Sequence, residues 1–153
     1  MSNPQFHYSS RPRYETSEDI QNEISVADLI ESSWGLTAKK MPMSYHLDYA
    51  LMDSHNKLRG FAEVKTRTVE SKTFDTYLIS LSKLIHARKL TEITGLSCVL
   101  IVKWTDIVNW VNFDVKHTLG FSGRSDRDDW QDQEPVAYLP MNKFKPLEVT
   151  GLI

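Results

Sequence analysis

The chain has 153 residues, 41% of them hydrophobic and 25% charged, the makeup of one globular domain with no room for a second full one. A domain of this length buries roughly 68–70% of the surface its unfolded chain exposes, so it requires neither a disulfide framework nor a structural metal. A single cysteine, Cys98, a first segment unlike a signal peptide and the lack of any membrane-length apolar run predict a cytoplasmic protein with no membrane partner, and the formal net charge of -2 excludes nucleic-acid binding by bulk charge alone.

Residues 1–16, with Pro4, Pro12 and scattered Ser, Arg and His, show no sustained period and read as an irregular arm, and residues 17–153 read as one domain. Ser17 followed by Glu18 and Asp19 looks like an N-cap with acids in the first turn. Ile20, Ile24, Ala27, Ile30 and Trp34 then recur at helical spacing until Gly35. Tyr45 to Asp53 alternates as a half-buried strand, with Leu47, Tyr49 and Leu51 on one face and His46, Asp48, Ala50 and Met52 on the other. Leu58 to Arg67 alternates likewise, and the polar link from Ser54 to Lys57 makes the two a β-hairpin. Thr76 to Thr94, apolar at Tyr77, Leu78, Leu81, Leu84, Ile85, Leu90 and Ile93 and stopped by Gly95, predicts one long helix. Cys98 to Val102 is an unbroken apolar strand expected in a sheet interior. Ile107 to Val115 and Val136 to Leu139 supply further strands, with an exposed acidic loop from Arg124 to Glu134 between them. The predicted class is α/β, a mixed central β-sheet flanked by helices.

Charge is segregated along this order. Every charged residue from Glu15 to Glu31 is acidic, whereas the stretch from Lys57 to Lys89 is predominantly basic. The chemistry concentrates on the hairpin. If His55 and Asn56 form a two-residue turn, the numbers of opposed residues sum to 111 and Asp48 falls opposite Glu63. Opposed residues share a face with Cβ atoms about 4.5–5.5 Å apart, and Lys65, two residues after Glu63, points the same way. Two carboxylates side by side repel unless one is protonated, a cation pairs with them, or a hard divalent metal lies between. An oxygen-only site of this kind suits Mg²⁺, which binds through one or two carboxylates, waters and a substrate phosphate, and the neighbouring ammonium can then hold the attacking water or offset charge developing on the phosphate. Glu23 lies three residues after Ile20 and four before Ala27, along the apolar stripe of the first helix, where a carboxylate needs a partner; the plainer reading is a residue bounding the stripe.

An acid on a first helix (Glu23), an Asp on the following strand (Asp48) and Glu-Val-Lys on the next (Glu63, Val64, Lys65) resemble the PD-(D/E)xK, restriction-endonuclease-like nuclease superfamily. The similarity runs from Ser17 through Val102 and is nearest to the small nucleases of phages and mobile elements, with Gly-Phe-Ala-Glu-Val-Lys at Gly60 to Lys65 followed by the segment from Tyr77 to Gly95. Leu47 stands where the proline that names the motif would precede Asp48. The resemblance implies a mixed sheet flanked by helices, with Asp48 and Glu63 ligating Mg²⁺ (Mn²⁺ as a substitute), Glu23 completing or supporting the metal site, and Lys65 positioning the nucleophile. It further implies a DNA phosphodiesterase, with an endonuclease expected and a homodimer as one way to cut both strands of a duplex.

Lys83 could reach the scissile phosphate, or its stem could simply pack while the ammonium meets water. Arg67 and Lys72 extend the basic face as phosphate contacts or as a solvated strand end. His46 shares the Asp48 face, and the dispersed His7, His55, His86 and His117 show no zinc spacing. Two other classes fit the same residues. A catalytically silent nucleic-acid-binding or assembly module would bind in a salt-sensitive way without divalent-dependent cleavage, and a structural protein with a salt-bridge network would show no Mg²⁺ effect on stability.

Overall fold

A computed structural model describes residues 17–123 and 133–148. The predicted arm and most of the predicted acidic loop lie outside the described residues. In chain order the elements are α1 (Ser17–Trp34), β1 (Thr37–Lys40), a 3-10 turn (Met43–Tyr45), β2 (Tyr49–Met52), β3 (Leu58–Thr66), β4 (Thr76–Ser80) and α2 (Leu81–Thr94). They continue with β5 (Ser97–Lys103), β6 (Val108–Asn112), β7 (Thr118–Gly123), β8 (Gln133–Pro140), a second 3-10 turn (Met141–Lys143) and β9 (Lys145–Pro146). Gln133 and Glu134, expected at the end of the loop, open β8 instead.

The main sheet has the order β1-β2-β3-β5-β6-β9, and a smaller one the order β4-β8-β7. The β3 and β5 strands pair in parallel while the other neighbours in the main sheet are antiparallel, the mixed sheet expected of the class. Packing falls into two layers. Val26 and Ile30 of α1 meet Tyr49, Leu51, Ala62, Val64, Val99 and Ile101 on one face of the main sheet. On the other face Phe61, Cys98, Leu100 and Val102 pack with Leu84 and Ala87 of α2 and with Tyr77, Ile79, Ala137 and Leu139 of the smaller sheet. With both faces covered, β5 is the interior strand its apolar run implies.

The hairpin register agrees with the arithmetic but is reached by a different route. The Asn56 N–H donates to the Asp53 carbonyl, Asn56 has φ 59°, and the Asp53 N–H donates to the Lys57 carbonyl, so the loop has three residues with a left-handed third rather than two. Asp53 holds it together by accepting from the His55 and Lys57 N–H groups and from the Arg59 guanidinium. Met52 pairs with Leu58, but Leu51 pairs with Gly60, which leaves Arg59 as a bulge. Beyond it Ala50 opposes Phe61 and Tyr49 opposes Ala62, each pair summing to 111.

Three expectations change. Thr76–Ser80 is a strand and not the start of a helix: Tyr77 and Ile79 are buried while Thr76 and Leu78 are exposed, the period of a strand covered on one face, and the helix begins at Leu81. In α1 it is Val26, Ile30 and Ser33 that are buried, while Ile20 and Ile24 are 46% and 48% exposed. Polar groups on the sheet turn this helix: Lys103 reaches Asn22 and Ser25, and Tyr49 reaches Glu23, so the helix's polar first half faces the strand ends. The strand expected from Tyr45 begins only at Tyr49, because His46 adopts a left-handed φ of 62° that interrupts the pleat, and Leu47 joins the α2-side core while Tyr49 and Leu51 join the α1 side.

Gly60 is demanded by packing. A Cβ there would lie 2.8 Å from the Ser97 carbonyl oxygen, where β3 meets β5.

Candidate active site

The face shared by Phe61, Glu63 and Lys65 looks toward α2. Glu63 is only 2% exposed, and extending the β2–β3 ladder by one pair sets Asp48 opposite it. Asp48 sits just before β2, with its Oδ2 accepting the Val64 N–H at 2.8 Å and its main-chain carbonyl accepting the Met41 N–H. The hairpin thereby fixes one carboxylate against the backbone beside the other.

Two lysines converge on one oxygen of Glu63. Lys65 Nζ lies 3.4 Å and Lys83 Nζ 3.2 Å from Oε1, and Lys83 also donates to the His46 carbonyl. The left-handed turn at His46 presents that carbonyl, and the first turn of α2 supplies Lys83. The second oxygen, Oε2, is buried and has no hydrogen-bond partner. Burial first, and the Asp48 charge second, push the Glu63 carboxyl above its ordinary range, with Lys65 and Lys83 offsetting part of the rise. A desolvated carboxylate with an unpartnered oxygen and a second carboxylate as neighbour matches the donor set of a hard divalent cation that completes its shell with water and phosphate.

Glu23 is placed differently from Asp48 and Glu63. Its Oε2 accepts the Tyr49 hydroxyl at 2.9 Å and pairs with Lys40 Nζ at 3.2 Å, and Lys40 lies 3.9 Å from Asp48 Oδ1. Lys40 opposes Tyr49 in the ladder and so stands on the α1 face. The helix acid therefore reaches Asp48 through a lysine, from the other side of the sheet. Among the described residues no three His, Cys, Asp or Glu side chains are grouped to hold a metal.

Arg67 continues the Glu63–Lys65 row, its guanidinium 5.0 Å from the centre of the Tyr77 ring. Burial is the main reason the Tyr77 hydroxyl is pushed up to about 12; the Glu63 charge adds to the rise and Arg67 opposes it. Lys72 stands on the β3–β4 loop, where it lines a cavity with Ser71, Phe74 and Asp75 that includes neither Asp48 nor Glu63. His46 stacks its ring on His86 of α2 at 3.9 Å.

Sequence reasoning missed Lys40, because β1 is four residues long and reads Thr-Ala-Lys-Lys, too short and polar to register as a strand. It also missed the Tyr49 hydroxyl as the partner of Glu23 and the His46 carbonyl as the anchor of Lys83. The phenolic head of a residue counted as core was the one available signal.

Over residues 9–147 the sequence matches the family described as "Phage putative PDDEXK endonuclease". The chain belongs to this family of PDDEXK nucleases. No curated protein matches the chain. Among solved structures it is similar to Hjc, a Holliday junction resolvase from the archaeal hyperthermophile Archaeoglobus fulgidus, at 11% identity and a TM-score of 0.53, over 79% of this chain and 87% of that one. At that identity the likeness speaks to the fold, which is restriction-endonuclease-like. No helix among the described residues is long and apolar enough to cross a membrane.

Proposed function

We propose that this PDDEXK nuclease is a Mg²⁺-dependent endonuclease that hydrolyses DNA phosphodiester bonds at the cluster of Asp48, Glu63 and Lys65. The observation that carries the reading is Glu63, a buried carboxylate with one oxygen lacking any partner and the other gripped by two ammonium groups. A fold retains so costly a group where it has work to do. Asp48 and Glu63 are the residues that would hold the metal, which when bound would supply Lewis-acid polarisation of a phosphate oxygen and a more acidic water.

The chain's own groups divide the remaining tasks. The Val64 N–H fixes Asp48 through Oδ2, while its Oδ1 lies 3.9 Å from Lys40 Nζ, a loose pair that a metal at the carboxylates would replace. Lys65, on the Glu63 face and 40% exposed, holds the attacking water and steadies charge on the phosphate as the bond to the leaving oxygen lengthens. Lys83, anchored by the His46 carbonyl, adds positive charge from the α2 side, and Arg67 extends it just past the end of β3 for the flanking backbone. Glu23 supports the site from behind by holding Lys40 near Asp48. The resolvase named in the structural comparison acts on a DNA junction, and this supports DNA as the substrate class.

A second reading has an observation in its favour. Lys40, Lys65 and Lys83 already counter the three acids without any metal, as a structural salt-bridge network or a silent DNA-binding module would arrange them. Incubating the wild type and Glu63→Ala, Lys65→Ala variants with supercoiled, linear and branched DNA, in Mg²⁺ or EDTA, separates the two. Cleavage that vanishes with EDTA and in the variants upholds the nuclease. Salt-sensitive binding with no cleavage of any substrate would transfer the chain to the silent module.

A further inference from the structure

Beside the carboxylate and lysine cluster lies a pocket of about 380 Å³ whose walls include Phe74, Tyr77, Trp104 and Tyr138, with Arg67 at its edge. Tyr77 and Trp104 are packed edge to face, their ring centres 5.9 Å apart, so that side of the pocket is rigid. Phe74 is 63% exposed, an unusual place for a phenyl ring on a loop whose other residues, apart from Val69, are charged or small and polar. The loop is nonetheless firmly held. The Ser71 N–H and hydroxyl both bond to the Asp106 carboxylate at 2.8 Å, the Thr105 N–H donates to the Val69 carbonyl, and the Met141 N–H donates to the Asp75 carbonyl. Phe74 is thus presented on a pre-organised support.

Its position relative to the cluster says what could fill it. Glu63 and Lys65 share one face of β3, and Arg67, one residue past its end, continues the row, with successive members about 7 Å apart. A strand whose scissile phosphate met Lys65 would set its next backbone group near Arg67, and that nucleotide's base would have the aromatic pocket beside it. Tyr77 and Trp104 are buried and form the floor, with Arg67 over the Tyr77 ring, so the aromatic face open to a base is that of Phe74, beside the Arg67 guanidinium and the half-buried Tyr138. Flat π-faces combined with a guanidinium are the general means by which proteins hold single unpaired bases, whatever their identity. The pocket volume falls within the ordinary range for a small-ligand site. A base stacked within a duplex cannot enter without first being turned out of the stack.

We propose that this pocket holds one unstacked nucleobase of the strand being cut, so that the substrate class is DNA with unpaired nucleotides next to the scissile phosphate. The inference rests on the nuclease reading for the path of the strand, but it concerns base binding and is testable without cleavage.

The test measures binding of the full chain in EDTA to three fluorescent oligonucleotides of equal length: a single strand, a duplex with one bulged nucleotide, and a fully matched duplex. The wild type should prefer the first two by at least about tenfold. Phe74→Ala should weaken their binding by about 5- to 150-fold, the loss expected for one base–aromatic stack, while leaving the matched duplex unchanged, and Phe74→Trp should restore it. Because Phe74 is largely exposed, its loss should not unfold the chain, and a circular dichroism melt verifies this. Equal affinity for all three oligonucleotides, or an equal loss on all three in Phe74→Ala, overturns the pocket. So does a Phe74→Ala effect on sedimentation without one on base preference, which would assign the apolar surface to a second copy of the chain. Adding Mg²⁺ to the same mixtures separates the two readings. Base preference without cleavage of these oligonucleotides or of supercoiled and branched DNA sinks the nuclease and keeps the pocket, whereas cleavage of the matched duplex without base preference does the reverse.

Discussion

Replacing Glu63 by Gln should make the metal-free protein more stable while removing its activity. Gln fills nearly the same volume and resembles the protonated acid. What it loses are two ion pairs, at 3.4 and 3.2 Å, to lysines whose side chains are 40% and 24% exposed and can turn toward water. Pairs of that kind contribute about 0.2–1 kcal/mol each. What it gains is the difference between burying a charged and a neutral group, about 1–3 kcal/mol, together with relief from the Asp48 charge; the amide atom that replaces Oε2 keeps the cost of a buried polar atom without a partner. The upward displacement of the Glu63 carboxyl shows which side prevails. The net gain should be about 1 kcal/mol at neutral pH, or a rise of about 2–4 °C in melting temperature for a chain of this size. Below the ordinary carboxyl value of 4.5 both folded and unfolded wild type carry the proton, so wild type and variant should melt together. As the pH rises the unfolded chain ionises first, the wild type falls behind, and the gap stops widening once folded Glu63 has ionised. Mg²⁺ at a hundredfold excess over its dissociation constant should then stabilise the wild type by about 2.7 kcal/mol and leave Glu63→Gln behind. Thermal melts of both proteins between pH 4 and 8, in EDTA and in Mg²⁺, carry out the comparison. A Glu63→Gln variant that melts below the wild type in EDTA at neutral pH would refute the reasoning, because the lysines would then outweigh the burial.

Lys65→Ala should slow cleavage by about 10²–10³-fold with little change in DNA affinity, read as single-turnover rates beside a binding titration; an unaltered rate removes Lys65 from the mechanism. Gly60→Ala should cost about 1–3 kcal/mol, because the new methyl group meets backbone at 2.8 Å, and a melting temperature within error of wild type would contradict the close approach of β3 and β5. Tyr49→Phe should cost about 0.5–1.5 kcal/mol in urea unfolding by releasing Glu23 from its hydroxyl partner, and no loss at all would mean that Lys40 alone holds the acid.

The parts of this fold that were legible in the sequence are those where one physical pattern dominates. Cys98 to Val102 is apolar throughout and is buried on both faces. The pairing of Asp48 with Glu63 was reached from a two-residue turn that the hairpin lacks, and it holds only because the three-residue loop and the Arg59 bulge, both invisible in the sequence, offset the register by one residue each in opposite senses. The segment from Tyr77 to Leu81 misled because Tyr77, Leu78 and Leu81 satisfy a helical period as readily as Tyr77 and Ile79 satisfy that of a strand. Its partner β8 decides the matter from about sixty residues away in sequence, beyond the reach of any local pattern. The edge strands β1, β7 and β9 are short or polar and bury little, with Leu119 and Phe121 of β7 each 64% exposed, so hydropathy does not mark them. Glu23, Asp48, Glu63 and Lys65 were all named from spacing. Lys40 was not, and it is the residue that relates the first of these to the second.

The Arg59 bulge also says where this hairpin can change length. Arg59 stands outside the ladder, so losing it would straighten β3 and free Asp53 of its guanidinium partner, yet every pairing from Gly60 onward could persist. The loop from Ser54 to Asn56 has similar latitude. A single residue lost between Gly60 and Glu63 would instead turn Glu63 and Lys65 toward α1 and put Val64 in their place, against a β5 strand that pairs with each residue from Gly60 to Thr66. Insertions and deletions among related chains should therefore collect at the hairpin tip and at Arg59, and stop abruptly at Gly60.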